Sequence, residues 1–71
     1  MSASDSSRTT ELTLRIGKVA TRELAKRGYT RYEQLTEVSA RELLRIHGIG
    51  PKAIRILEEE LATRGLAFRD A

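Results

Sequence analysis

The sequence predicts an all-α domain of about four to five short helices. Three observations lead there. Apolar residues recur three or four places apart, as in Ile16, Ala20 and Leu24 or Ile54, Leu57 and Leu61. Helix stop and start residues punctuate the chain at short intervals: Gly28, Ser39, Gly48, Pro51 and Gly65. No segment shows the alternation expected of a half-buried strand.

Residues 1–11, beginning "MSASDSSRTT", carry too little apolar surface to offset the entropy of ordering and read as a disordered tail, with a folded domain over 12–71. "IGKVATRELAKRG" predicts a helix over 17–27, ended by Gly28 in a left-handed conformation. Thr30 and Glu33 have capping-box spacing and open a short helix over 31–36. Ser39 and Glu42 repeat the device for a helix over 40–46 whose core face is Leu43, Leu44 and Ile46. Pro51 suits the first position of a last helix, 51–64, with Ala53, Ile54, Leu57 and Leu61 as its buried stripe. "LAF" (66–68) is expected to fold back over the core.

Composition narrows the function classes. The chain has 71 residues, no cysteine, one histidine and a formal net charge of +3. Disulfides and cysteine-held metals are excluded, and one histidine builds no metal site. No apolar run approaches the ~20 residues of a membrane span. The basic balance favours an anionic partner, or reflects ordinary solubility. There is no acid pair on one helix face and no triad, so an enzyme is not expected, nor a cofactor.

The chemistry centres on "RIHGIGPKAIRIL" (45–57). Gly48 ends one helix, Ile49 points inward, Gly50 lets the backbone turn and Pro51 starts the next helix. Backbone N–H groups of residues 48–50 and of Lys52 are left facing outward at a helix N-terminus, where the dipole favours an anion. Lys52 adds a point charge. Arg45, His47 and Arg55 complete a basic rim. Each has a plainer role beside the DNA one: Arg55 as an i,i+4 partner of Glu59, His47 as a cap on the preceding helix. "IGKVA" (16–20) looks like a worn copy of "IGPKA" (49–53), with Leu24 matching Leu57, so Arg15, Gly17, Lys18 and Arg22 form a second phosphate clamp or a solvated surface. Glu58, Glu59 and Glu60 read as a solvated helix face, with Glu60 paired to Arg64. Tyr29 is expected to cover the core and Tyr32 to lie at its edge, with base stacking the lesser alternative.

"LLRIHGIGPKAIRIL" resembles the helix-hairpin-helix motif: an apolar helix, a Gly-apolar-Gly hairpin and a small residue, Ala53, three places after the second glycine. His47 stands where many members have proline. From Ile16 to Phe68 the chain also resembles the C-terminal domain of the bacterial RNA polymerase alpha subunit, through "YEQLTEVSARELLRIHGIGPKAI" and "LATRGLAF". The resemblance implies a SAM-like double helix-hairpin-helix fold that binds the DNA minor groove and contacts transcription activators. Carried over by position, Gly48, Ile49, Gly50 and Lys52 hold the phosphate contacts. Val19 stands at the family's strongest DNA-reading arginine and Arg22 replaces an asparagine, so promoter-element recognition does not carry over.

The expected function is therefore non-sequence-specific binding of double-stranded DNA in the cytoplasm, on the nucleoid. Two alternatives stand beside it. One is a protein-interaction module related to the transcription machinery or DNA repair. The other is a targeting domain of a larger DNA-processing protein, against which Met1 and the polar tail favour a complete small protein.

Overall fold

A computed structural model describes residues 10–71. Most of the predicted tail lies outside them. Its last two residues join the fold: the Glu11 amide donates to the Thr30 carbonyl at 2.7 Å, and Thr10 Oγ1 donates to the same oxygen at 3.3 Å. The described residues are all-α. A 3-10 turn, Leu14–Ile16, leads into α1, Lys18–Lys26; a 3-10 helix, Tyr32–Glu37, precedes α2, Ala40–Leu44; and α3 runs Pro51–Thr63. No strand occurs among them.

The second predicted helix takes the tighter 3-10 form. Its buried residues explain the difference. Tyr32, Leu35 and Val38 are three apart, and all are buried. Three residues per turn stacks Tyr32 directly on Leu35, and Val38 is buried from the extended C-cap position that follows the helix. The expected Thr30–Glu33 capping box does not form. Gln34 Oε1 takes its place, accepting from the Thr30 and Arg31 amides at 2.8 and 2.9 Å. The Ser39–Glu42 box forms as read, with both reciprocal bonds at 3.0 Å.

Leu24, Leu35, Leu57 and Leu61 lie wholly inside, with Ala20, Tyr32 and Leu43 beside them. Phe68 closes the core as expected and is buried. The chain beyond it straps onto α2. The Arg69 amide donates to the Val38 carbonyl at 3.0 Å, and Asp70 Oδ1 accepts from the Ala40 amide at 3.0 Å.

The two long helices repeat one another at both ends. At their starts Ile16, Ala20 and Leu24 match Ile49, Ala53 and Leu57, all buried. Their C-termini close identically. Gly28 and Gly65 have φ of 89° and 72°. The Tyr29 amide reaches the Leu24 carbonyl at 2.8 Å, as Leu66 reaches Leu61 at 2.8 Å, each a Schellman closure. Arg27–Glu23 and Arg64–Glu60 ion pairs, 2.8 and 2.9 Å, repeat too. Leu24 therefore matches Leu57 from the front and Leu61 from the back. The offset is close to one α-helical turn, so α3 is α1 with a turn inserted.

Core packing and surface exposure set two expected outcomes. Leu57→Ala should lower unfolding free energy by about 2–5 kcal/mol in denaturant titrations. Leu14→Ser, at a position 70% exposed, should change it by no more than about 0.5 kcal/mol.

Candidate nucleic-acid interface

The turn between α2 and α3 is built by short-range bonds and one long-range contact. The Ile46 amide returns to the Leu43 carbonyl at 3.0 Å, and the Ile49 amide to the Ile46 carbonyl at 3.1 Å. Gly48 has φ +95°, the left-handed region that disfavours side chains. A Cβ on Gly48 would also stand 2.5 Å from Val19 Cγ1. Gly50 is different. Its backbone is extended, at φ −107° and ψ 179°, and a Cβ there would meet nothing within 4 Å. The freedom to turn, expected of Gly50, thus belongs to Gly48, and the space beside Gly50 is open.

Donor accounting also departs from expectation at Ile49. Its side chain is buried as predicted, but its amide is taken by Ile46 and offers nothing outward. The amides of Gly48, Gly50, Lys52 and Ala53 have no acceptor among the described residues. In the first turn, Gly17 has φ +98° and its amide is taken by the Leu14 carbonyl at 2.9 Å. The donors left there are those of Lys18, Val19 and Ala20. Because Val19 rests against Gly48, the start of α1 and the glycine turn lie side by side.

Capping separates the helices into two kinds. The start of α2 is served by Ser39 Oγ, the Glu42 carboxylate and Asp70. Gly17 and Gly50 cap α1 and α3 and bring no side-chain acceptor. Two of the shifted carboxylates belong to the served end. The Ser39 amide holds Glu42 below its ordinary pKa, with Arg69 helping, and the Ala40 amide does the same for Asp70, each against partial desolvation. Glu23 is lowered by its Arg27 hydrogen bond. These shifts follow from caps and ion pairs. No group of His, Asp or Glu able to hold a metal occurs among the described residues.

Cations divide the same way. Arg15, Lys26, Arg27, Arg31, Arg64 and Arg69 each have a carboxylate within ion-pair distance. Lys18, Arg22, Arg41, Arg45, Lys52 and Arg55 have none among the described residues, and all are exposed. His47 is exposed as well and caps nothing there. Arg15 leaves the predicted first clamp. Its guanidinium lies 3.4 Å from Glu60 and 3.8 Å from Glu59, bracing the N-terminal segment to α3. Glu59 is thus engaged by Arg15, no Arg55–Glu59 pair forms among the described residues, and the acidic run is part brace rather than a purely solvated face. Tyr32 is buried rather than at the edge. Its hydroxyl accepts from the Thr13 amide at 2.9 Å, and Arg64 covers its ring at 4.0 Å, so no face is free for a base. Tyr29 packs half-buried on the core as expected.

The structure therefore sets the start of α1 against the glycine turn through Val19 and Gly48, with Glu23 beside the same glycine, while Lys18, Arg22, Arg45, His47, Lys52 and Arg55 are exposed. Val19 and the Ala53 amide were missed as parts of this surface. The glycine-capped helix starts were the available signal for Ala53. No helix among the described residues is long and apolar enough to cross a membrane. No family model, curated protein or solved structure matches the chain.

Gly48→Ala should cost about 1–3 kcal/mol in denaturant titrations, and Val19→Ala in the same chain should recover part of that loss by removing the clash. The capped end of α2 should be acid-sensitive. Lowered carboxylate pKa values stabilise the fold above the unfolded pKa, and this is lost as pH falls through the folded one. Hydrogen exchange at Ala40 should therefore quicken, relative to the intrinsic rate, as pH falls below about 4. An unchanged protection factor there would contradict the strap.

Proposed function

We propose that this chain is a non-enzymatic DNA-binding module of the helix-hairpin-helix kind, related to the C-terminal domain of the RNA polymerase alpha subunit. It holds the phosphates of double-stranded DNA through backbone amides, with little regard to sequence. One observation carries the reading: the helix starts that lack a side-chain cap lie among the exposed cations that lack a carboxylate partner.

Bare amides at a helix start carry partial positive charge and need an acceptor, and a phosphate oxygen supplies both charge and lone pairs. The open space beside Gly50 admits the close approach such a bond requires. Lys52 supplies a point charge one residue into α3, with Arg55 further along. Lys18 and Arg22 serve the α1 start in the same way. Two such starts side by side suit the two strands bordering a minor groove. Phosphate contacts position the protein and read no sequence, so a module of this kind works anywhere on the nucleoid. Its affinity should be weak, with Kd roughly 10⁻⁴ to 10⁻⁶ M at physiological salt, and should fall steeply as salt rises.

Gly50→Val tests the reading, because the extended backbone and empty surroundings let the fold tolerate it. Fluorescence anisotropy with a short labelled duplex should show binding weakened at least about tenfold, with the melting temperature nearly unchanged. Lys52→Ala should weaken binding and reduce the slope of log K against log salt by about one. Parental affinity in Gly50→Val would overturn the proposal.

A further inference from the structure

Leu14 is 70% exposed, more than Val19 at 45% or Leu44 at 43%. It does not stand on a convex knob. Together with Thr21 and Ala25 it lines a shallow groove of about 460 Å³ between the N-terminal segment and α1. Lys18, Arg22 and Lys26 line the same groove. Their spacing from Lys18 through Arg22 to Lys26 is one helix turn each, on the side of α1 away from the buried Ala20 and Leu24.

No carboxylate among the described residues lines this groove. Lys18 and Arg22 have no acid partner among the described residues, and Lys26 keeps its side chain 64% exposed despite Glu23 at 3.5 Å. The groove thus joins an apolar floor to a positive rim on which, among the described residues, only Lys26 has an acid partner. From that complementarity we infer that it receives an acidic segment of a partner protein, one that inserts a leucine-like side chain beside Leu14 while its carboxylates meet Lys18, Arg22 and Lys26. A nucleic-acid backbone would answer the charge and leave Leu14 uncovered. A lipid surface would need a broad apolar face, whereas Leu14 is a single exposed apolar side chain bordering a shallow groove. The inference shares Lys18 and Arg22 with the DNA reading and differs from it at Leu14 on one side and at Gly50 and Lys52 on the other.

The test is an NMR titration of the isotope-labelled full chain with two short synthetic peptides. One alternates acidic residues with leucines, and its twin carries serine at every leucine. Vesicles of acidic phospholipid form a third arm. The leucine peptide should shift the Leu14, Thr21 and Ala25 amides saturably, and the twin should bind about tenfold more weakly. Leu14→Ser should weaken the leucine peptide by a similar factor with the melting temperature unchanged. Gly50→Val should leave peptide binding intact, which separates failure here from failure of the DNA reading. Equal binding of both peptides, parental binding by Leu14→Ser, no shift with either peptide, or shifts with vesicles alone would each overturn the inference.

Discussion

With φ at +95° and the Val19 side chain seated against its α-carbon, Gly48 turns the chain out of α2 and docks the turn on the first turn of α1. Much follows from that contact. It sets the glycine turn that precedes α3 against the start of α1. It sends Ile49 into the core and leaves Gly50 extended at the surface. A residue with a Cβ at position 48 would meet both a strained backbone and a stiff β-branched neighbour, which has no distant rotamer to retreat to. Val19 stands where the resemblance would place an arginine, and in this chain its side chain packs against the glycine turn.

The repeated halves share a buried frame and differ at their ends. Ile16, Ala20 and Leu24 do for α1 what Ile49, Ala53 and Leu57 do for α3. Both helices close on the same glycine motif and the same arginine–glutamate pair. The inserted turn in α3 carries Glu59 and Glu60 to Arg15. This pair is exposed and worth at most about 1 kcal/mol. Its larger consequence is positional, since it removes Arg15 from the basic surface. The halves are therefore unequal: among the described residues the second offers the free amides of Gly48, Gly50, Lys52 and Ala53, whereas Gly17 has given its own to Leu14.

Local signals were readable because their physics is local. Ser39 with Glu42, Pro51 at a helix start and glycines after Lys26 and Thr63 act within a turn or two of themselves. Those elements stand where the sequence places them to within one residue at their starts and two at their ends, although Leu44, read as core, is exposed. The 3-10 helix was legible only in part. Both Glu33 and Gln34 lie within reach of the helix start, and which one caps depends on where Tyr32 must point. Nothing local says that the Tyr32 ring will be covered by Arg64, or that Arg15 will find a carboxylate 45 residues away. The division of labour between Gly48 and Gly50 was hidden for the same reason. Each suits a turn, and the folded chain gives Gly48 the positive φ and the Cβ position blocked by Val19, while Gly50 stays extended and open. Among the candidate site residues, Lys18, Lys52 and Arg55 were legible from spacing as exposed cations near helix starts. The losses of Arg15 and of the Ile49 and Gly17 amides required the folded chain.

The central claim is that bare backbone donors around the glycine turn bind phosphate. Amide chemical shifts in an isotope-labelled sample, followed while a short duplex is added at low and at physiological salt, test it most directly. The account predicts that the Gly48, Gly50, Lys52 and Ala53 amides move together with a salt-dependent midpoint, while Ile49, whose donor is already engaged, moves least. Shifts confined to surfaces remote from residues 47–53, or no shift at low salt, would contradict it.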